Sequence, residues 1–232
     1  MVATIIISAL AVLIGVGCIL CRMRLARGPY AGASWEYPRL CRACVEPQVD
    51  GEPPAWLAQM ITTPRVGDDQ KAWVHVALPG LLDGRAEAVV LGHYTYSTAV
   101  VRVTGARVPD DLASGSWVAA WMALARGGSQ VRKVATVRPR PGFRHGLTIW
   151  QHTARGPMRE PSEASQRAMQ AAFYRCSWLG LHAIEVHEGA VCLVFTGLSS
   201  MRVAPRHVAA ICEALDAGAE CDGTSSTLSR GR

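Results

Sequence analysis

The sequence predicts an α+β protein: a single N-terminal transmembrane helix, a β-rich region, and a helix–β-hairpin–helix module at the C-terminal end. Three observations predict it. Residues 1–21 are apolar and carry no charged side chain. Between about residues 70 and 153 the apolar residues recur with a period of two, as on a half-buried strand. From Pro161 onward the period becomes helical, breaks for two short apolar runs around Glu188-Gly189, and turns helical again after Pro205. A chain of 232 residues that is 50% hydrophobic and 18% charged buries too much apolar surface to be intrinsically disordered. Its 22 glycines follow no three-residue period and no heptads run for long, which excludes collagen-like and coiled-coil chains.

The N-terminal run has Thr4 and Ser8 as its only hydroxyls. As a helix, 21 residues rise roughly 31 Å, about one hydrocarbon core. Gly15 and Gly17 would weaken a helix in water but are common in membrane helices. A secretory signal peptide would carry a basic segment first and a small-residue cleavage site after; Arg22, Arg24 and Arg27 stand where that site would be. Gly15-Val16-Gly17-Cys18 half fits a lipoprotein box, without the basic start. The arginines on the C-terminal flank predict, by the positive-inside rule, that everything after them stays in the cytoplasm. The expected organisation is an anchor over 1–21, a basic flank and Pro/Gly-rich linker over 22–53, a cytoplasmic α+β domain over 54–216, and a disordered tail over 217–232 that is rich in Gly, Ser and Thr.

The elements follow in order. Pro54 can open a short helix, with Trp56 and Met60 one turn apart. Residues 71–78, 86–91 and 93–104 read as strands, with Pro79-Gly80, Asp83-Gly84 and Leu91-Gly92 as turns. Residues 114–125 fit a helix, with Trp117, Trp121 and Leu124 on one side, and fit a strand equally well. Residues 131–137 and 147–152 read as strands. Ser162 is an N-cap with Glu163 in the first turn. Met169, Phe173, Cys176 and Leu179 form the stripe of that helix, and Gly180 stops it. Residues 182–187 and 190–195 form a hairpin. The last helix buries Val208, Ile211, Cys212 and Leu215. Trp56, Trp73, Trp117, Trp121, Trp150 and Trp178 are expected in the core, and Trp35 at the headgroups.

The net charge of +6 is unevenly spread. Residues 112–159 hold eight bases and no acid: Arg126, Arg132, Lys133, Arg138, Arg140, Arg144, Arg155 and Arg159. Such a stretch suits anionic lipid headgroups, or a solvated surface whose counter-charges come from elsewhere. Nucleic acid is the weaker option, because no recognition helix and no aromatic RNA-binding strand is present. The 22 Arg against 2 Lys reflect a GC-rich, bacterial coding bias, so each Arg need not be a chosen bidentate group.

Eight cysteines in a cytoplasmic chain predict free thiols. Cys41 and Cys44 have metal-ligand spacing, yet no second pair or His-x₃₋₅-His follows to complete a zinc site. Phosphate loops, dinucleotide fingerprints, zinc-protease helices and nucleophile elbows are all missing. Glu185 and His187 share a strand face, opposite in direction to His182, and with Cys192 on the return strand they are the first suspects for an acid–base site. Whether Cys192 joins them depends on the hairpin register. No catalytic, cofactor-binding or metal residue is assigned. The expected function is a membrane-anchored binding or scaffold domain whose partner is an anionic lipid or a protein. The alternatives are an enzyme with a site assembled from distant strands, and an exported lipoprotein or secreted domain.

Overall fold

Alternating strands separated by short turns can close their hydrogen bonds only against one another, and here they do so in one sheet. The computed structural model describes residues 6–8, 10, 12–17, 20, 48–49, 54–60, 62, 70–78, 80–93, 97–120, 131–139, 141, 146–153, 159–187, 189–197 and 202–228. The strands are β1 (Gln48–Val49), β2 (Gln70–Leu78), β3 (Ala86–His93), β4 (Ser97–Thr104), β5 (Ser116–Ala120), β6 (Val131–Val137), β7 (Leu147–His152), β8 (Leu181–His187) and β9 (Ala190–Thr196). The helices are α1 (Ala55–Ala58), α2 (Asp110–Ala113), α3 (Glu163–Arg175) and α4 (Pro205–Leu228). The order across the sheet is β1-β2-β3-β4-β9-β8-β5-β7-β6, and every described pair is antiparallel.

The C-terminal hairpin is therefore the centre of the β-rich region. It slots between β4 and β5, so the two regions share a single sheet. Burial on both faces explains why β5 and β9 read as nearly unbroken apolar runs. The ambiguous segment 114–125 resolves into the end of α2, then strand β5; residues 121–130 lie outside the described ones. Both the face of Trp117 and Ala119 and the face of Val118 and Ala120 are covered, which a strand satisfies and a surface helix does not.

Helices α3 and α4 cover one face of the sheet. Met169, Phe173, Val208, Ile211 and Leu215 pack there on Val101, Ile184, Leu193 and Phe195. Ser162 caps α3 as its sequence predicts, accepting from the Ser165 N–H at 3.2 Å. Asp111 of α2 reinforces that cap: its carboxylate accepts from the Ser162 N–H at 2.7 Å and from the Ser165 hydroxyl. Gly180 takes the left-handed conformation that ends the segment.

α4 continues through 217–228, where composition predicts a disordered tail. Its small residues let it lie close to α3: a Cβ at Gly218 would overlap the Ala168 Cβ and sit 3.7 Å from the Pro109 ring. Gly218→Ala gains up to about 1 kcal/mol of helix propensity. Overpacking costs about 1–3 kcal/mol, so the net effect is destabilising. Adding Ala168→Gly should recover most of that loss. Chemical denaturation of the two single variants and the double reads the coupling; purely additive effects would show that the helices do not meet there.

Two expectations need correction or limits. Trp178 is 62% exposed rather than in the core: on the 3₁₀ turn after α3 it is the neighbouring Leu179 that takes the buried position. Trp117 and Trp150 are buried as expected. Among the described residues, no helix is long and apolar enough to cross a membrane. Of residues 1–21, the described ones (6–8, 10, 12–17 and 20) are helical. Cys41, Cys44, Trp35 and Trp121, and the side chain of Trp73, lie outside what the structure describes.

Candidate functional site

The face of the sheet opposite α3 and α4 holds a second, smaller core: Val89, Val100, Val118, Ala183 and Val194, under Leu57 of α1 and the nearby Met60. Residues paired directly across antiparallel strands share a face. The registers Glu87↔Arg102, Arg102↔Cys192 and Cys192↔Glu185 thus place four polar side chains in one row across β3, β4, β9 and β8. The hairpin register, unreadable from the sequence, sets Glu185 and Cys192 directly opposite one another.

The row is closely knit. Arg102 Nη1 donates to Glu87 Oε1 at 3.0 Å, and His75 Nε2 lies 2.8 Å from Glu87 Oε2. The Arg102 guanidinium also lies over the Trp56 ring, 5.7 Å from its centroid. Glu185 is 1% exposed. It accepts from both the backbone N–H of Thr62, at 3.3 Å, and its hydroxyl, at 3.0 Å. The segment from Pro54 to Thr62 therefore crosses this face with an apolar grip at Leu57 and Met60, a cation–π contact at Trp56 and a charge-assisted anchor at Thr62.

Cys192 lies beneath that segment, 5% exposed. Burial pushes its thiol up to about 12; the Glu185 carboxylate adds to the rise and the Arg102 guanidinium opposes it. At neutral pH it is a packed thiol, not the thiolate that nucleophilic or metal chemistry needs. His187 is further along β8, opposite Ala190, on the same face as Glu185. His182 departs from simple alternation because β8 carries a bulge between Leu181 and Ala183. Burial pushes its pKa down. Among the described residues, no group of three or more His, Cys, Asp and Glu could hold a metal ion.

Of the three suspects, Glu185 and Cys192 are thus brought together, with a covering segment bonded across the carboxylate. His75, Glu87, Arg102, Trp56 and Thr62 were not singled out from the sequence as site residues. One signal was there: Glu87 and Arg102 are single, opposite charges in neighbouring apolar strands, as a cross-strand ion pair requires.

Of the eight bases between residues 112 and 159, Arg126, Arg140, Arg144 and Arg155 lie outside the described residues, and the described Arg132, Lys133 and Arg138 are spread along the sheet edge. Arg132 and Lys133 are consecutive on edge strand β6 and so point to opposite faces. Arg138 follows the other end of that strand, roughly 20 Å from Arg132 along a β rise. Exposed bases on an edge strand also discourage edge-to-edge association. Comparison of the chain with protein-family models, curated proteins and solved structures gives no match.

Proposed function

We propose that the chain is a single-pass, membrane-anchored binding or scaffold domain without catalysis, held on the cytoplasmic side of a bilayer by residues 1–21. The carrying observation is the uncharged run followed at once by Arg22, Arg24 and Arg27. The exposure of Ile6, Ile7, Leu10, Leu13, Ile14 and Leu20 on helical residues supports it, since hydrocarbon suits such a surface and water does not. Binding rather than catalysis is supported by the polar row, whose carboxylates and guanidinium are engaged in tying the segment around Trp56 and Thr62 to the sheet. The enzyme reading has one observation in its favour, the pairing of Glu185 with Cys192. The raised pKa and burial of that thiol weigh against it.

The test is topology. A C-terminal reporter should be active in the cytoplasm, and protease added outside intact cells should leave the domain uncut. Replacing the three arginines by Gln and adding lysines ahead of Ile5 should invert part of the population. Digestion of the native chain from outside would overturn the assignment.

A further inference from the structure

Antiparallel pairing sorts the loops to two ends of the sheet. β8 begins, β9 ends, β5 ends, β7 begins and β6 ends at the same end, as the registers Leu181↔Phe195, Ala120↔Ala183, Ala120↔Thr148 and Val137↔Leu147 require. α3 finishes and α4 starts there too, because the 3₁₀ turn Ser177–Leu179 leads straight into β8 and Pro205 follows β9. Five exposed side chains from three segments of the chain lie at this end: Arg138 after β6, Arg175 and Trp178 at the close of α3, and Arg202 and Arg206 around the start of α4.

Two things set the group apart. Among the described residues outside 6–20, Trp178 is the large hydrophobic side chain that stands most open to solvent, at 62%. It is held rather than loose, edge-on to the His207 ring at 5.6 Å. Among the described residues around the end of α3 and the start of α4 the charges are of one sign: residues 164–184 and 189–212 contain Arg167, Arg175, Arg202 and Arg206 and no acid. The acids Asp83, Asp110, Asp111, Glu160 and Glu163 belong to the turns and helix starts of the opposite end.

We propose that this end of the sheet, which carries Trp178 and the exposed Arg138, Arg175, Arg202 and Arg206, docks on the anionic surface of the bilayer in which the chain is anchored. An indole sharing one end with arginines matches the boundary between headgroups and acyl chains: the ring enters the apolar edge and the guanidiniums pair with phosphate and carboxylate groups. The N-terminus of α4 adds its partial positive charge on the same side. The proposal rests on the anchor reading. It differs from a lipid patch over 112–159, since among the described bases of that stretch only Arg138 belongs to it. Residues 22–47 could span up to roughly 85 Å if extended, so the tether permits either end of the sheet to turn to the membrane.

The test uses the full-length protein in vesicles of phosphatidylcholine alone, or with phosphatidylserine, whose acyl chains carry bromine close to the headgroups. Flotation with the neutral vesicles reads the anchor. Quenching of tryptophan fluorescence reads the docking, as a difference between wild type and Trp178→Phe, because Trp35 contributes equally to both. The expected result is stronger quenching of wild type in the serine-containing vesicles only. Raising salt from about 0.05 to about 0.5 M should abolish that excess while the protein still floats. Arg175→Gln, Arg202→Gln and Arg206→Gln combined should remove it as well, each arginine near the surface being worth about fivefold in the docked fraction. Equal quenching of wild type and Trp178→Phe in floating protein would overturn the docking and leave the anchor standing. Failure to float on neutral vesicles would overturn the anchor and, with it, the docking.

Discussion

Membranes floated through a density gradient in alkaline carbonate and high salt are expected to carry the full-length chain to the top, whereas a chain starting at Gly28 stays at the bottom. The effect is close to all-or-none. Ile6, Ile7, Leu10, Val12, Leu13, Ile14, Val16 and Leu20 are all exposed on helical residues. At roughly 1.5–3 kcal/mol per large apolar side chain, their transfer to hydrocarbon contributes more than about 10 kcal/mol. Salt screens the arginine contribution but leaves this one intact. Release of the full-length chain by salt alone would sink the anchor. Flotation is preferable to pelleting, because the alkaline step also opens the domain and an aggregate would pellet as well.

That alkaline opening is the second large effect. Cys176, Cys192 and Cys212 are buried free thiols. Burial pushes them from an ordinary 9.0 up to about 11, about 12 and about 11 respectively. In the unfolded chain they ionise first. The stabilisation from keeping them protonated is fully present below pH 9 and is lost as pH rises toward 11–12. Each tenfold change in an ionisation constant corresponds to about 1.4 kcal/mol, so the three thiols together reach several kcal/mol, a large share of a domain's typical stability of roughly 5–15 kcal/mol. Denaturant midpoints should be level up to about pH 9 and fall steeply above it. Replacing Cys192 by Ala should lower the starting stability through the cavity it leaves, yet make the fall shallower. A slope unchanged in that variant would mean that Cys192 ionises as freely folded as unfolded.

Much of the local structure was legible in the residues. The two-residue period marked most strands, the Ser162 cap and Gly180 bounded the segment that carries α3, and Pro205 opened α4. These signals succeed because capping, alternation and turn chemistry act within a few residues of one another. Segment 114–125 was unreadable for the opposite reason: a strand buried on both faces has no alternation to show.

The candidate site was half legible. Glu185 and Cys192 were visible as chemistry, but not the pair Glu87 and Arg102 that continues their row, nor Thr62 and Trp56 that close it. Glu185 and Thr62 stand 123 positions apart, and no periodicity spans such a distance. Arg132, Lys133 and Arg138 of the basic stretch are close in sequence in the same way, yet strand geometry sends them to different faces and ends.

By itself, then, the sequence determined the uncharged N-terminal run with its arginine flank, the α+β class and the helix–hairpin–helix order. Only the tertiary structure decided that the hairpin enters the sheet between β4 and β5, that Glu185 faces Cys192, and that Trp178 stands in solvent against the His207 ring. The reason is physical: hydrogen bonding and side-chain period are settled locally, whereas strand order and register depend on filling both faces of the sheet at once.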